Sequence, residues 1–128
     1  MLDYARQRAR EALRLPRIVV LATCGPAGLQ AGEFPCEAIS LELFLLVPKT
    51  SDHLFNLEHD SGVTLLTADW EMKGNAQIVP SEPNNLKLNL LQNPNAKWCV
   101  LVKVSPCMLQ IRNKKGWGNL ETIDLNSK

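Results

Sequence analysis

The sequence LFLLVPKTSDHLFNL, residues 43–57, combines a change of secondary structure with a group of side chains suited to binding an anion. Its apolar first part, residues 43–47, ends at Pro48 and predicts a buried strand. Thr50 or Ser51 then suits the N-cap of a helix whose leucines recur at helical spacing. The stretch therefore predicts a strand that leads directly into a helix.

This strand-to-helix corner is a candidate phosphate site. Backbone N–H groups at the start of a helix have no partner within the helix and attract anions. Lys49, Thr50, Ser51 and His53 add an ammonium, two hydroxyls and an imidazole close to that point. An ordinary corner with a solvated lysine fits the same residues, so the pattern alone leaves both interpretations open.

Length and charge limit the class of protein. A chain of 128 residues fits a single domain spanning residues 1–128, which is large enough to bury a core without disulfides. A net charge of +1 gives no strong field, so we expect neither nucleic acid nor a membrane as the main partner. Apolar runs such as residues 18–22 are far shorter than a membrane span, and the arginine-rich start does not resemble a secretion signal. We expect a cytoplasmic protein.

Several kinds of site find no support in the sequence. The cysteines are too widely spaced for a CxxC motif and are expected to be free thiols: Cys24, Cys36, Cys99 and Cys107. With two histidines in the chain, His53 and His59, no metal site is predicted. The sequence also lacks GxGxxG, GxxxxGK[ST] and GxSxG motifs. No catalytic side chain can be named, and any chemistry has to come mainly from a bound cofactor.

The first half of the chain predicts a helix followed by a hairpin. Asp3 can cap a helix that ends near Arg14, and residues 17–24 and 29–38 predict two strands around a turn at residues 25–28. The return strand contains both glycine and proline, which weaken a strand interior. It is either an edge strand protected against aggregation or a strand approached closely by another body, such as a planar ligand.

Further short strands complete the predicted fold. They are expected at residues 41–47, 63–70, 76–79, 98–104 and 107–112, with polar turns at 71–75 and 113–116 and a short helix around residues 86–91. Six or seven short strands with accessory helices indicate a mainly β protein built as a small barrel.

Taken together, the order of these segments resembles the pyridoxamine 5'-phosphate oxidase-like family of FMN-binding split barrels. The similarity is carried by RIVVLATCGPAGLQ as first hairpin, ELFLLVPKTSDHLFNL as third strand and corner, and GVTLLTADWEMKGNAQIVP as the following hairpin. It implies a six- to seven-stranded antiparallel split barrel with an N-terminal helix. It also implies a homodimer that holds FMN at the subunit interface.

The resemblance assigns two groups of residues to FMN. The phosphate is implied at Lys49 and Ser51, with His53 standing where lysine is usual in the family, and Asn56 and Leu57 match the Asn-Leu that follows on the helix. Thr50 joins this group as the second hydroxyl of the corner. The second strand runs alongside the isoalloxazine ring in the family, which implies ring contacts for Gly32, Glu33, Phe34 and Pro35. If His53 carries charge, FMN affinity should fall as pH rises through about 6 to 7.

The implied activity is an FMN-dependent oxidoreductase that uses a small-molecule electron donor or acceptor and an unknown substrate. Vitamin B6 oxidation itself is not implied, because the family's C-terminal arginine and histidine pair has no match: no histidine follows His59, and Arg112 is the last arginine. Two alternatives remain open. One is a non-catalytic dimeric module that binds flavin or another ligand, and the other is a split barrel that uses F420, haem or no cofactor.

Overall fold

The computed structural model describes residues 2–79, 89–112 and 120–125. The chain starts with helix α1 (Leu2–Arg14) and continues through the barrel strands. The elements after α1 are β1 (Ile18–Thr23), β2 (Gln30–Ile39), β3 (Glu42–Pro48), α2 (Asp52–His59), β4 (Gly62–Leu66), β5 (Trp70–Val79), two 3₁₀ helices (Asn89–Gln92 and Ala96–Trp98), β6 (Cys99–Arg112) and β7 (Leu120–Asp124). The turn expected at residues 113–116 lies outside the described residues.

Six of the strands close into a barrel. Within the described ranges the sheet order is β3-β2-β1-β4-β5-β6-β7, every neighbouring pair being antiparallel. β3 also pairs with β6, with Leu45 opposite Val102, and this pairing closes β1 to β6 on themselves while β7 continues beyond β6. The predicted mainly β split barrel with an N-terminal helix is confirmed.

Side chains that alternate along the strands fill the barrel interior, and β3 is buried on its outer face as well. Residues 43–47 of β3 are all buried, because the inner side chains fill the barrel and the outer two, Phe44 and Leu46, are covered as well. Phe44 and Leu46 form a second apolar cluster with Leu101, packed under the segment that carries the two 3₁₀ helices. β3 is therefore buried on both faces, which explains its continuous apolar run.

The turn between β4 and β5 lies earlier than the sequence predicts. A turn was expected at residues 71–75, but these belong to β5, and the chain reverses at residues 67–69 instead. Thr67 closes this reversal: its backbone N–H donates to the carbonyl of Trp70 at 2.9 Å, and its hydroxyl accepts from the Trp70 N–H at 3.1 Å. A threonine side chain supplies the turn that glycine or proline more often signals.

Gly74, in the polar segment 71–75, allows β5 and β6 to approach closely. The register between β5 and β6 shifts at Lys73/Gly74, opposite Pro106, and a Cβ on Gly74 would lie 2.6 Å from the Ser105 carbonyl oxygen. The two strands expected at residues 98–104 and 107–112 form one continuous strand, β6, which runs through Pro106 because the shift in register accommodates the proline.

Helix α1 packs on the barrel through a stripe of small and branched side chains. Ala9, Ala12 and Leu13 are buried, and the helix already starts at Leu2, so the expected cap at Asp3 is wrong. The indole of Trp70, which is 1% exposed, donates to the Ala12 carbonyl at 3.0 Å. That carbonyl lies in the last turn of α1 and has no partner within the helix. No helix among the described residues is long and apolar enough to cross a membrane.

Replacing Trp70 with phenylalanine is expected to lower the free energy of unfolding by about 1 to 3 kcal/mol, since it removes this hydrogen bond and leaves a small cavity. Urea unfolding followed by circular dichroism measures the change. Trp98→Phe is the matched control, because Trp98 is 65% exposed. Equal losses in the two variants would contradict the anchoring role of the Trp70 indole.

Candidate cofactor site

The corner between β3 and α2 is built by one serine. The Ser51 N–H donates to the Pro48 carbonyl at 3.0 Å, which closes a turn after the strand. The Ser51 hydroxyl accepts from the His53 N–H at 3.2 Å, so Ser51 is the N-cap of α2. Of the two caps considered from the sequence, the structure selects Ser51 and leaves Thr50 exposed. Asp52 in the first turn favours the same helix start.

Lys49 is exposed beside this corner. Its backbone N–H donates to the Trp98 carbonyl at 3.0 Å, which fixes the corner to the second 3₁₀ helix. Its side chain lines a cavity of about 320 Å³ together with Lys97. No hydrogen bond or ion pair within the described ranges engages the side chains of Lys49 or Thr50. Both groups are therefore free to meet an anion.

His53 points into the molecule instead. Its side chain is 5% exposed, and its Nδ1 lies 2.8 Å from the Thr23 hydroxyl. The imidazole meets the Phe34 ring edge-on at a centroid distance of 5.2 Å, and its Nε2 lies 3.6 Å from the place that a Cβ on Gly32 would occupy. The structure thus places His53 between α2 and the strand predicted to contact the ring, away from the exposed ammonium of Lys49.

Burial also affects the charge of His53. Desolvation lowers the pKa of this imidazole below its usual value of 6.5, and the nearby Asp52 carboxylate opposes that shift only in part. The side chain is therefore neutral at pH 7. Of the corner residues Lys49, Thr50, Ser51 and His53, Lys49 is therefore the cation. The predicted fall of FMN affinity between pH 6 and 7 depends on a charged His53, and a lowered pKa removes that charge above pH 6.5.

A lowered pKa predicts a loss of stability in acid. As pH falls below about 6.5, the unfolded chain binds a proton on His53 before the folded protein does, so the free energy of unfolding decreases. His53→Gln is expected to flatten this part of the profile, measured by urea unfolding between pH 7.5 and 5. His59→Gln is the control, since His59 is exposed at the end of α2. An unchanged profile in His53→Gln would contradict the assignment.

Asn56 joins α2 to the β1–β2 hairpin. It is 0% exposed, and its Nδ2 donates to the Thr23 hydroxyl at 3.1 Å and to the Gly28 carbonyl at 2.9 Å. Its Oδ1 accepts from the Ala27 N–H at 2.9 Å, and a Cβ on Gly25 would lie 2.8 Å from this oxygen. The three side-chain hydrogen bonds of Asn56 hold the end of β1 and the hairpin turn, which gives this residue a positioning role beside the corner.

Within the described ranges, the strand predicted to contact the ring is paired on only one side along its first part. Along residues 30–35, β2 pairs with β1, for example Phe34 with Val19, whereas pairing with β3 starts only at Cys36. Glu33, Phe34 and Pro35 line a cavity of about 370 Å³ beside this edge, and Pro48 lies across it. An edge strand and a strand approached by a planar ligand are therefore compatible interpretations of β2, because another body can approach the side of residues 30–35 that does not pair with β3.

Trp98 forms another wall of this cavity and was not identified from the sequence as a site residue. The pattern treated it as the first residue of a strand, but β6 begins at Cys99 and the indole is 65% exposed. The Lys97 ammonium lies 5.3 Å from the centre of the Trp98 ring. An exposed aromatic ring at a cavity is a suitable surface for a flat ligand.

The remaining groups of interest are the cysteines and the possible metal ligands. The four cysteines are free, as predicted, and burial raises the pKa of the Cys36 thiol to about 12. Within the described part of the chain, no cluster of His, Cys, Asp and Glu side chains is suited to a metal ion. The corner and the cavity between β2 and Trp98 thus combine an exposed ammonium, hydroxyls and aromatic walls.

No protein-family model and no curated protein matches the sequence. Solved structures do resemble it. A protein from Clostridium acetobutylicum related to general stress protein 26, of the pyridoxinephosphate oxidase family, has a TM-score of 0.72 at 10% identity, covering 98% of this chain and 96% of that one. An FAD-binding protein from Mesorhizobium loti has a TM-score of 0.64 at 9% identity, covering 80% and 90%.

A haem-binding protein from Mycobacterium smegmatis is also similar, with a TM-score of 0.67 at 15% identity over 94% of this chain and 57% of that one. At these identities the comparisons establish the fold. The chain has the split-barrel fold of pyridoxamine 5'-phosphate oxidase-like proteins, and its structural neighbours include flavin-binding and haem-binding proteins.

Proposed function

We propose that this protein binds FMN as a cytoplasmic homodimer and acts as an oxidoreductase. One observation carries the proposal: the cavity beside residues 33–35 reaches Pro48, whose carbonyl is hydrogen-bonded to the N-cap residue Ser51. A slot large enough for an aromatic ring thus lies next to a helix N-terminus suited to phosphate.

The phosphate end of FMN is assigned to the corner. The Lys49 ammonium supplies a positive charge, and the hydroxyls of Thr50 and Ser51 supply donors. His53 serves this site by position rather than by charge, because its neutral ring packs between Thr23 and Phe34. Because this attraction is between charges at an exposed corner, FMN affinity is expected to decrease with added salt.

The ring end is assigned to β2. Phe34, Pro35 and Trp98 provide apolar and aromatic walls. Gly32 has no side chain, which leaves space on the strand next to His53. When bound, FMN supplies the hydride or electron transfer. The chain positions it, while the Glu33 carboxylate that lines the cavity disfavours negative charge beside the ring.

Haem is the competing cofactor among the structural neighbours. Neither histidine suits an axial ligand at the cavity between β2 and Trp98. His53 is buried against Phe34, His59 lies in the last turn of α2, and neither residue lines this cavity. This placement favours FMN.

The test is the absorption and fluorescence spectrum of purified protein before and after addition of FMN, with the mass measured by light scattering. Flavin bands with altered emission and a dimer mass are expected. FMN should bind more tightly than riboflavin, the matched ligand that lacks phosphate. Reduction of the bound flavin by NADH or NADPH separates an oxidoreductase from a binding module. A haem spectrum, or no response to FMN, would contradict the proposal.

A further inference from the structure

A second and larger cavity lies beside the one assigned to the ring. It has a volume of about 650 Å³ and is enclosed by the end of α1, by β2 and by the first 3₁₀ helix. Its polar lining consists of two guanidinium groups, one carboxylate and three side-chain amides: Arg14, Arg17, Glu37, Asn89, Gln92 and Asn93. Apart from Asn93, which also lines the cavity assigned to the ring, these groups lie outside the proposed FMN site.

The charges in this cavity are not balanced within the described structure. Glu37 is engaged, since its Oε1 accepts from the Leu90 N–H at 3.2 Å. Arg14 and Arg17 are exposed, and no ion pair or hydrogen bond of their guanidinium groups occurs within the described ranges. By contrast, Arg8 pairs with Glu121 at 3.2 Å. Two uncommitted guanidinium groups at one cavity suit an anion.

The segment that carries Arg17 is fixed to β2. The Arg17 carbonyl accepts from the Cys36 N–H at 2.9 Å, and the Pro16 carbonyl accepts from the Cys36 thiol at 3.5 Å. These bonds hold the segment against a strand that lines the same cavity.

The two cavities share a wall. Pro35 and Asn93 line both of them, so a molecule held by the arginines lies next to the space assigned to the flavin ring. The arginines belong to the N-terminal part of the chain. They are thus distinct from the C-terminal substrate pair of the resembling family, which this sequence lacks.

We infer that the cavity between α1, β2 and the first 3₁₀ helix is the substrate site of the proposed flavoprotein and selects an organic anion, with Arg14 and Arg17 pairing with its carboxylate or phosphate group. The inference rests on the proposed function. It extends that function from the cofactor to the chemical class of the substrate.

The test titrates the full chain, with and without FMN, with benzoate, phenyl phosphate and the neutral analogue benzamide. Backbone amide signals in two-dimensional NMR locate binding, and the absorption of bound flavin reports contact with the ring. We expect the Arg17 and Glu37 signals to shift with at least one anion, at an affinity about 10-fold or more above that of benzamide. The flavin bands should shift over the same concentration range.

Substitutions assign the effect to the arginines. Arg14→Gln/Arg17→Gln should weaken anion binding about 10-fold or more and leave FMN affinity unchanged, whereas Arg14→Lys/Arg17→Lys should retain part of it. Arg112→Gln, an exposed arginine at the end of β6, is the matched control. If FMN binds but no anion shifts these signals, the inference is wrong and the proposed function stands. If FMN does not bind, the proposed function fails. Anions that bind to a protein without FMN would then show that the cavity is not the substrate site of a flavoprotein.

Discussion

The double variant Lys49→Ala/Ser51→Gly is expected to bind FMN about 2 to 4 kcal/mol more weakly than the unmodified protein, because it removes one ammonium and one hydroxyl from the phosphate group. Glycine is chosen at position 51 because Ser51 is also the N-cap of α2. Glycine at an N-cap costs only a few tenths of a kcal/mol, whereas alanine costs about 1. The loss of affinity can therefore be measured on a folded helix.

Flavin fluorescence titrations at fixed ionic strength give the dissociation constants, and thermal unfolding confirms that the variant folds. Lys73→Ala is the matched control, since Lys73 is an exposed lysine that lines a different cavity. Riboflavin should bind the double variant and the unmodified protein equally well. Unchanged FMN affinity would overturn the phosphate assignment, and an equal loss for riboflavin would mean that the substitutions disturb the ring site instead.

The parts of the fold that the sequence predicted are those with local signals. β3 and α2 follow from an apolar run, a proline and a serine cap within a few residues, and the hairpin turn follows from residues 25–28, where Gly28 has a φ of 85°. The reversal at Thr67 was missed because a threonine hydroxyl makes it, while Gly74 and Asn75 carry turn-like composition inside a strand. Composition alone cannot distinguish a turn from a shift in register.

Less of the candidate site than of the fold could be predicted from the sequence, because its residues come together from distant parts of the chain. Lys49 and Ser51 are visible from spacing along the chain, but Trp98 reaches Lys49 only through barrel closure by β3 and β6. The inward direction of His53 is equally hidden, since its partner Thr23 lies 30 positions earlier. A histidine two residues after an N-cap fits an exposed anion site and a buried hydrogen bond equally well until the neighbouring strand is known.

Asn56→Ala is expected to lower the free energy of unfolding by about 3 to 5 kcal/mol, because it breaks three hydrogen bonds and leaves partners at the hairpin turn unsatisfied. Two of these partners, the Ala27 N–H and the Gly28 carbonyl, belong to the turn itself, and the third is the Thr23 hydroxyl. Urea unfolding measures the change. Asn75→Ala, at an exposed asparagine of β5, should stay within about 0.5 kcal/mol.

The Thr23 hydroxyl extends this effect toward the proposed ring site. It accepts from Asn56 and also contacts Nδ1 of His53, whose ring supports Phe34. A double-mutant cycle of Asn56→Ala and Thr23→Val should therefore be non-additive, with the double variant more stable than the sum of the two losses predicts. Strict additivity would mean that the asparagine holds only the turn. A non-additive cycle accompanied by weaker riboflavin binding would show that the hairpin, α2 and the ring strand act as one unit.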